Sequence, residues 1–75
     1  MGEMRILASS GDKKIQWNPQ AEDEVEVAEM AFDKLVGEKG YKAYEVKKDG
    51  SKGKPIKKFR ASLGMLIMIP VVAGG

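Results

Sequence analysis

Met65-Leu66-Ile67-Met68-Ile69-Pro70 is the stretch on which the reading of this chain turns. Its first five residues are all apolar, so as a strand it has no polar face. A run this short suits a central strand, either covered on both sides or covered on one and open to a partner on the other. Pro70 ends it, because proline has no N–H to give a neighbouring strand. Successive strand residues face opposite ways. Leu66 and Met68 therefore form one set, and Met65, Ile67 and Ile69 the other. One set belongs to a core, and the other is a candidate docking surface. For both methionines, core packing is the plainer expectation.

Working outward, Arg60 to Gly64 reads as a connection, and Pro55 to Phe59 as a short strand anchored by Ile56. Pro55 argues for a sheet edge or a strand start. Asp49-Gly50-Ser51-Lys52-Gly53 is rich in turn formers. Tyr41 to Lys47 alternates, with Tyr44 and Val46 on one side and Ala43 and Glu45 on the other. Before it lies the clearest element, a helix beginning at Asn18-Pro19. Asn caps free amides, and proline is tolerated in a first turn. Val25, Ala28, Phe32, Leu35 and Val36, flanked by Ala31, repeat at three and four residues and form one apolar stripe. Gly37 and Gly40 are both candidate stops, with Gly40 suited to a left-handed cap. Met4 to Ala8 and Lys13 to Trp17, joined by Ser9-Ser10-Gly11-Asp12, read as an opening hairpin. Met4, Ile6, Ala8, Ile15 and Trp17 are the expected core side.

The order is strand, strand, helix, strand, strand, strand. A helix of about 18 residues is roughly 27 Å long and can lie across a small sheet. The crossover rule makes the strands on either side of that helix parallel. With the last apolar strand beside the first, the pattern predicts an α+β fold, one helix packed on a mixed sheet. The expected division is a single domain over residues 1–70 and a flexible tail over 71–75.

Composition narrows the chemistry. The chain has 75 residues, no Cys and no His. That removes the thiol nucleophile, the thiolate metal site, the commonest general base and the commonest metal ligand. A domain this size buries only about 60 % of its unfolded surface and has little room for a cofactor cavity. The expectation is no catalytic residue, no metal site and no cofactor of its own. No apolar run is long enough to span a bilayer. The first residues lack a charged region followed by an apolar segment, so a cytoplasmic location without a membrane partner is expected.

The net charge of +2 is a near-cancellation. Between Gln20 and Glu38 there are seven acids and one base, Lys34. Between Lys47 and Arg60 there are seven bases and one acid, Asp49. The bases are Lys47, Lys48, Lys52, Lys54, Lys57, Lys58 and Arg60, a possible basic patch.

The chain closes on Pro70-Val71-Val72-Ala73-Gly74-Gly75. Glycine has no Cβ, so other groups can approach its backbone closely and its carbonyl stays open to attack. The two valines favour extended backbone. A domain followed by so thin a segment suits a chain whose own carboxylate is the reacting group.

The element order and this tail resemble the ubiquitin-like β-grasp proteins, β-β-α-β-β-β with one helix on a mixed sheet. The nearest likeness is to the sulfur carriers, including the molybdopterin-synthase small subunit and the thiamine sulfur-carrier group. Pro70, Val72, Gly74 and Gly75 match their Pro-Pro-Val-x-Gly-Gly ending, and Val71 replaces the second proline. Arg60-Ala61-Ser62-Leu63-Gly64 stands where that group usually has Asp-Gly-Asp-x-Val. The resemblance implies a divergent carrier or modifier. An E1-like (ubiquitin-activating-type) enzyme would use ATP to activate the carboxylate of Gly75. Sulfur transfer would then give a thiocarboxylate for an acceptor enzyme, and conjugation would give an isopeptide with a protein substrate. The resemblance assigns activation to Gly74 and Gly75, and partner binding to Met65, Ile67, Ile69, Pro70, Val72 and Ala73.

The alternative is a small nucleic-acid-binding or protein-interaction module using the basic residues 47–60. Lysine clusters attract phosphate. The acidic stretch opposes a polyanion, and no recognised nucleic-acid motif is present, so nucleic acid is the disfavoured partner.

Overall fold

The structure, a computed structural model, describes residues 1–8 and 10–71. Its elements are β1 (Gly2–Ile6), β2 (Lys13–Trp17), α1 (Glu22–Gly37), β3 (Lys42–Val46), β4 (Lys52–Ile56) and β5 (Met65–Ile69). The five strands form one mixed sheet in the order β2-β1-β5-β3-β4. β5 lies parallel to β1 and antiparallel to β3. β2 is antiparallel to β1, and β4 to β3. β2 and β3, on either side of the helix, therefore run the same way, as the crossover rule requires. The chain is a small α+β domain with one helix packed on a mixed sheet.

The helix buries Ala28 and Phe32 against the sheet, and Val25, Leu35 and Val36 pack beside them. From the sheet come Met4 and Ile6 of β1, Trp17 of β2, Ala43 of β3, and Leu66 and Met68 of β5. Helix and sheet do not close this core alone. The connection after β4 turns Phe59 and Leu63 inward as well. Phe59 meets Trp17 edge-on at 4.9 Å between ring centroids and lies 5.9 Å from Phe32. The Trp17 indole N–H donates to the Ala61 carbonyl at 3.0 Å, so the ring is fully buried with its one donor satisfied.

Three boundaries differ from the sequence expectation. β1 spans Gly2–Ile6, not Met4 to Ala8. Its backbone is fixed by β5: Glu3 N–H donates to the Gly64 carbonyl at 2.9 Å and Leu7 N–H to Met68 at 3.0 Å. Gly2 extends the strand by pairing with Trp17, whose ring occupies the space a Cβ at this position would need. The fourth strand is Lys52–Ile56, not Pro55 to Phe59, because Phe59 leaves the sheet to fill the core. The helix is capped by Ala21, with no side-chain cap. Asn18 instead closes a turn ahead of it. Its carbonyl accepts the Ala21 N–H at 2.9 Å, and its Oδ1 accepts the Gln20 N–H at 3.0 Å. The Glu24 carboxylate reaches back to the Asn18 N–H at 2.9 Å. At the other end Gly40 takes the left-handed conformation, φ +73°, and the Tyr41 N–H returns to the Leu35 carbonyl at 2.9 Å.

Trp17→Ala is expected to cost about 3–5 kcal/mol of stability, because it opens a cavity and orphans the Ala61 carbonyl. Gly2→Ala forces a methyl against the indole and is expected to cost about 1–3 kcal/mol. Gly37→Ala, with open space at its Cβ position, is expected to gain about 0.4–1 kcal/mol. Urea unfolding followed by circular dichroism checks all three.

Candidate functional site

Strand periodicity divides β5. Leu66 and Met68 are fully buried under the helix, whereas Met65, Ile67 and Ile69 are half-buried on the opposite face. The two methionines that share a plain core expectation thus part company: Met68 is core, and Met65 lines the open face. Among the described residues no element covers that face. Its centre is the apolar stripe of β5. On one side Glu3 stands opposite Met65 and Arg5 opposite Ile67. On the other, Tyr44 stands opposite Ile67 and Lys42 opposite Ile69.

Polar side chains order the flanks. Glu3 accepts from Arg5 Nε at 2.7 Å and from Gln16 Nε2 at 3.1 Å, tying β1 to β2 across the surface. The hydrogen bond from Arg5, then that from Gln16, holds the Glu3 carboxyl below the usual carboxylate range. On the far side the Lys52 ammonium sits 4.4 Å from the centre of the Tyr44 ring. The face is therefore apolar at its centre, with charged or aromatic groups at both margins. Neither margin was legible as a site in the sequence. The only signal was the two-residue spacing of Glu3 and Arg5, which puts both on one face of a strand.

Pro70 and Val71 follow β5 and are exposed. Val72, Ala73, Gly74 and Gly75, which carry the tail reading, lie outside the described residues. The structure thus puts Met65, Ile67 and Ile69 on one face of a central strand, with exposed Pro70 following at its end.

The seven cations of 47–60 are all exposed, and among the described residues none makes an ion pair. Asp49 is held by Ser51, whose hydroxyl and N–H donate to its Oδ1 at 2.6 and 2.9 Å, and these bonds lower its pKa. Phe59, the aromatic within this run, is buried between Trp17 and Phe32 and offers no face on which a base could stack. Among the described residues no cluster of three or more acidic side chains is placed to hold a metal ion. No helix among them is long and apolar enough to cross a membrane.

Comparisons of this chain with protein-family models, with curated proteins and with solved structures each find no match.

The lowered pKa of Glu3 sets a pH dependence. A depressed carboxyl contributes stability above its unfolded pKa, and the contribution is lost as pH falls through the folded value. Glu3→Gln is expected to lower Tm at neutral pH, and the gap to the parent is expected to close as pH falls through the folded carboxyl's lowered pKa. Thermal unfolding of both proteins across that range reads it directly.

Proposed function

We propose that this chain is a ubiquitin-like β-grasp protein, and that an E1-like enzyme activates the carboxylate of Gly75 for sulfur transfer or protein conjugation. One observation supports the reading above the others. The central strand that carries Met65, Ile67 and Ile69 outward runs directly into exposed Pro70 and Val71. A partner seated on that stripe has the reacting end of the chain leading away from its contact.

The chemistry belongs to the partner and to the terminal carboxylate. A carboxylate oxygen attacks the α-phosphorus of ATP, and pyrophosphate leaves. The resulting acyl adenylate is then open to a nucleophile, with AMP as leaving group. Hydrosulfide attacks the acyl carbon and displaces AMP to give a thiocarboxylate, and a lysine amine of a protein substrate displaces AMP to give an isopeptide, each with loss of a proton. Glycine at the acyl position keeps the carbonyl clear for attack. The half-buried stripe supplies binding area, and Met65 adapts to a partner surface. The absence of Cys and His from the sequence costs this role nothing, because no step asks the chain for an acid, a base or a thiol.

The test is incubation with ATP and a lysate or purified activating-type enzyme, read by pyrophosphate exchange and intact mass. Replacement of one carboxylate oxygen by sulfur marks the carrier, and high-mass conjugates mark the modifier. Ile67→Glu is expected to slow activation roughly tenfold or more with the circular dichroism unchanged. Deletion of Gly74 and Gly75 is expected to abolish it. Exchange that is absent with the full chain, or indifferent to that deletion, overturns the proposal.

A further inference from the structure

The two flanks of α1 differ in what lies beside them. Ala31, Lys34 and Leu35 line the cleft against β2. Val25, Glu29 and Val36 recur at helical spacing and share the other flank. Toward its N-terminal end that flank borders a cleft of about 520 Å³, lined by Pro19, Val25 and Met30 with Glu22, Glu26 and Glu29. The cleft holds three carboxylates and no cation. Met30 is 64 % exposed, so this acidic cleft has an apolar wall open to a partner.

The C-terminal end of the same flank is opposite in charge. Val36 lines a second cleft, of about 370 Å³, with Tyr41 and Lys42 around the start of β3 and Ile56 and Lys57 around the end of β4. A third, of about 390 Å³, adds Lys58 and Arg60. These two share Pro55, Ile56 and Lys57 and so adjoin. Together they hold four cations, Lys42, Lys57, Lys58 and Arg60, and no carboxylate. Among the described residues the single ion pair joins Arg5 to Glu3, so neither end of the flank is neutralised by a contact within the chain. Acid sits at one end and base at the other, each around apolar groups.

We propose that two copies of this chain pair about a two-fold axis along this flank, the acidic cleft of each seated against the basic cleft of the other. A two-fold pairing needs a surface complementary to itself. A flank acidic at one end and basic at the other meets that need when two copies run antiparallel, and both charge contacts then form at once. Met30, unbranched and adaptable, is set against Pro55 and Ile56 of the second copy. Apolar surface leaves water in both clefts, and the charges around it fix the register. Most of those charges stay near solvent, so the pairing is weak and sensitive to salt. Lys47 and Lys48 belong to the basic run but line neither basic cleft, and they take no part. The surface uses neither the outward stripe of β5 nor the tail, so this inference goes beyond the proposed activation.

Sedimentation velocity of the full chain at millimolar concentration, without ATP, tests it. A dimer is expected at about 0.01 M salt, where the screening length is about 30 Å, and a monomer at about 1 M, where it is about 3 Å. Glu26→Lys with Glu29→Lys reverses the acidic cleft, and Lys57→Glu with Lys58→Glu reverses the basic one. Each variant alone is expected to dimerise at least about tenfold more weakly, with circular dichroism unchanged. An equimolar mixture of the two is expected to restore the dimer, because both contacts again join opposite charges. Lys47→Glu with Lys48→Glu has the same net charge as the Lys57, Lys58 variant and is expected to dimerise within about threefold of the parent. The inference is overturned by a monomer at low salt, whether or not the clefts then take oligolysine or an oligonucleotide. It is equally overturned by a dimer that survives high salt, by assembly that grows past the dimer, by a mixture no tighter than its components, or by a Lys47, Lys48 variant weakened as much as the Lys57, Lys58 one. Failure here leaves the activation of Gly75 standing, because that assay needs neither cleft nor a second copy.

Discussion

Trp17 joins the parts that otherwise have little to hold them together. Its ring is fully buried at the end of an edge strand, where a sheet alone leaves a side chain half wet. Gly2 opens the space beneath it, Phe59 meets its face, and the Ala61 carbonyl takes its single donor. Through Phe59 it reaches Phe32 on the helix. One side chain thereby connects the hairpin, the helix layer and the connection that leads into β5. A domain this small has few such groups, and one large ring contributes a considerable share of its apolar burial.

The position of β5 follows from that arrangement. With Phe59 and Leu63 drawn into the core, Gly64 is brought to β1, where its carbonyl accepts the Glu3 N–H. β5 then enters between β1 and β3 with Leu66 and Met68 inward. The same step turns Met65, Ile67 and Ile69 outward, since a strand cannot bury one set without presenting the other. The proposed docking stripe is thus a consequence of core packing. Polar groups flank it on both sides, Glu3 with Arg5 on one and Lys52 over Tyr44 on the other.

Charge is placed differently from apolar area. α1 lies closest to β2, while β4 and its lysines occupy the opposite edge of the sheet. Lysines from the hairpin and from the last turns of the helix meet again beside β2. The basic character of the molecule therefore has a second centre, one that the run from Lys47 to Arg60 did not suggest.

Much was legible from local pattern. The five-residue run ending at Pro70, the three-and-four stripe from Val25 to Val36, and the left-handed cap at Gly40 each rest on the chain's nearest neighbours, and each matches the structure. The β1 and β4 boundaries were not legible, because they depend on contacts between distant residues. Gly2 is strand because of Trp17, and Phe59 leaves the strand because the core needed filling. The capping signal at Asn18 misplaced the helix start, because its side chain closes a tight turn ahead of a helix that Ala21 caps. Of the candidate site, the choice between Met65, Ile67, Ile69 and Leu66, Met68 was open to either answer.

The sequence by itself determined the order of elements and the character of the last strand, because periodicity and residue type act within a few residues of chain. Only the tertiary structure decided which face of β5 is covered and which cations share a cleft. Those outcomes depend on how the helix and the 57–64 connection divide one face of the sheet between them. That division is set by long-range packing around Trp17, which no local pattern encodes.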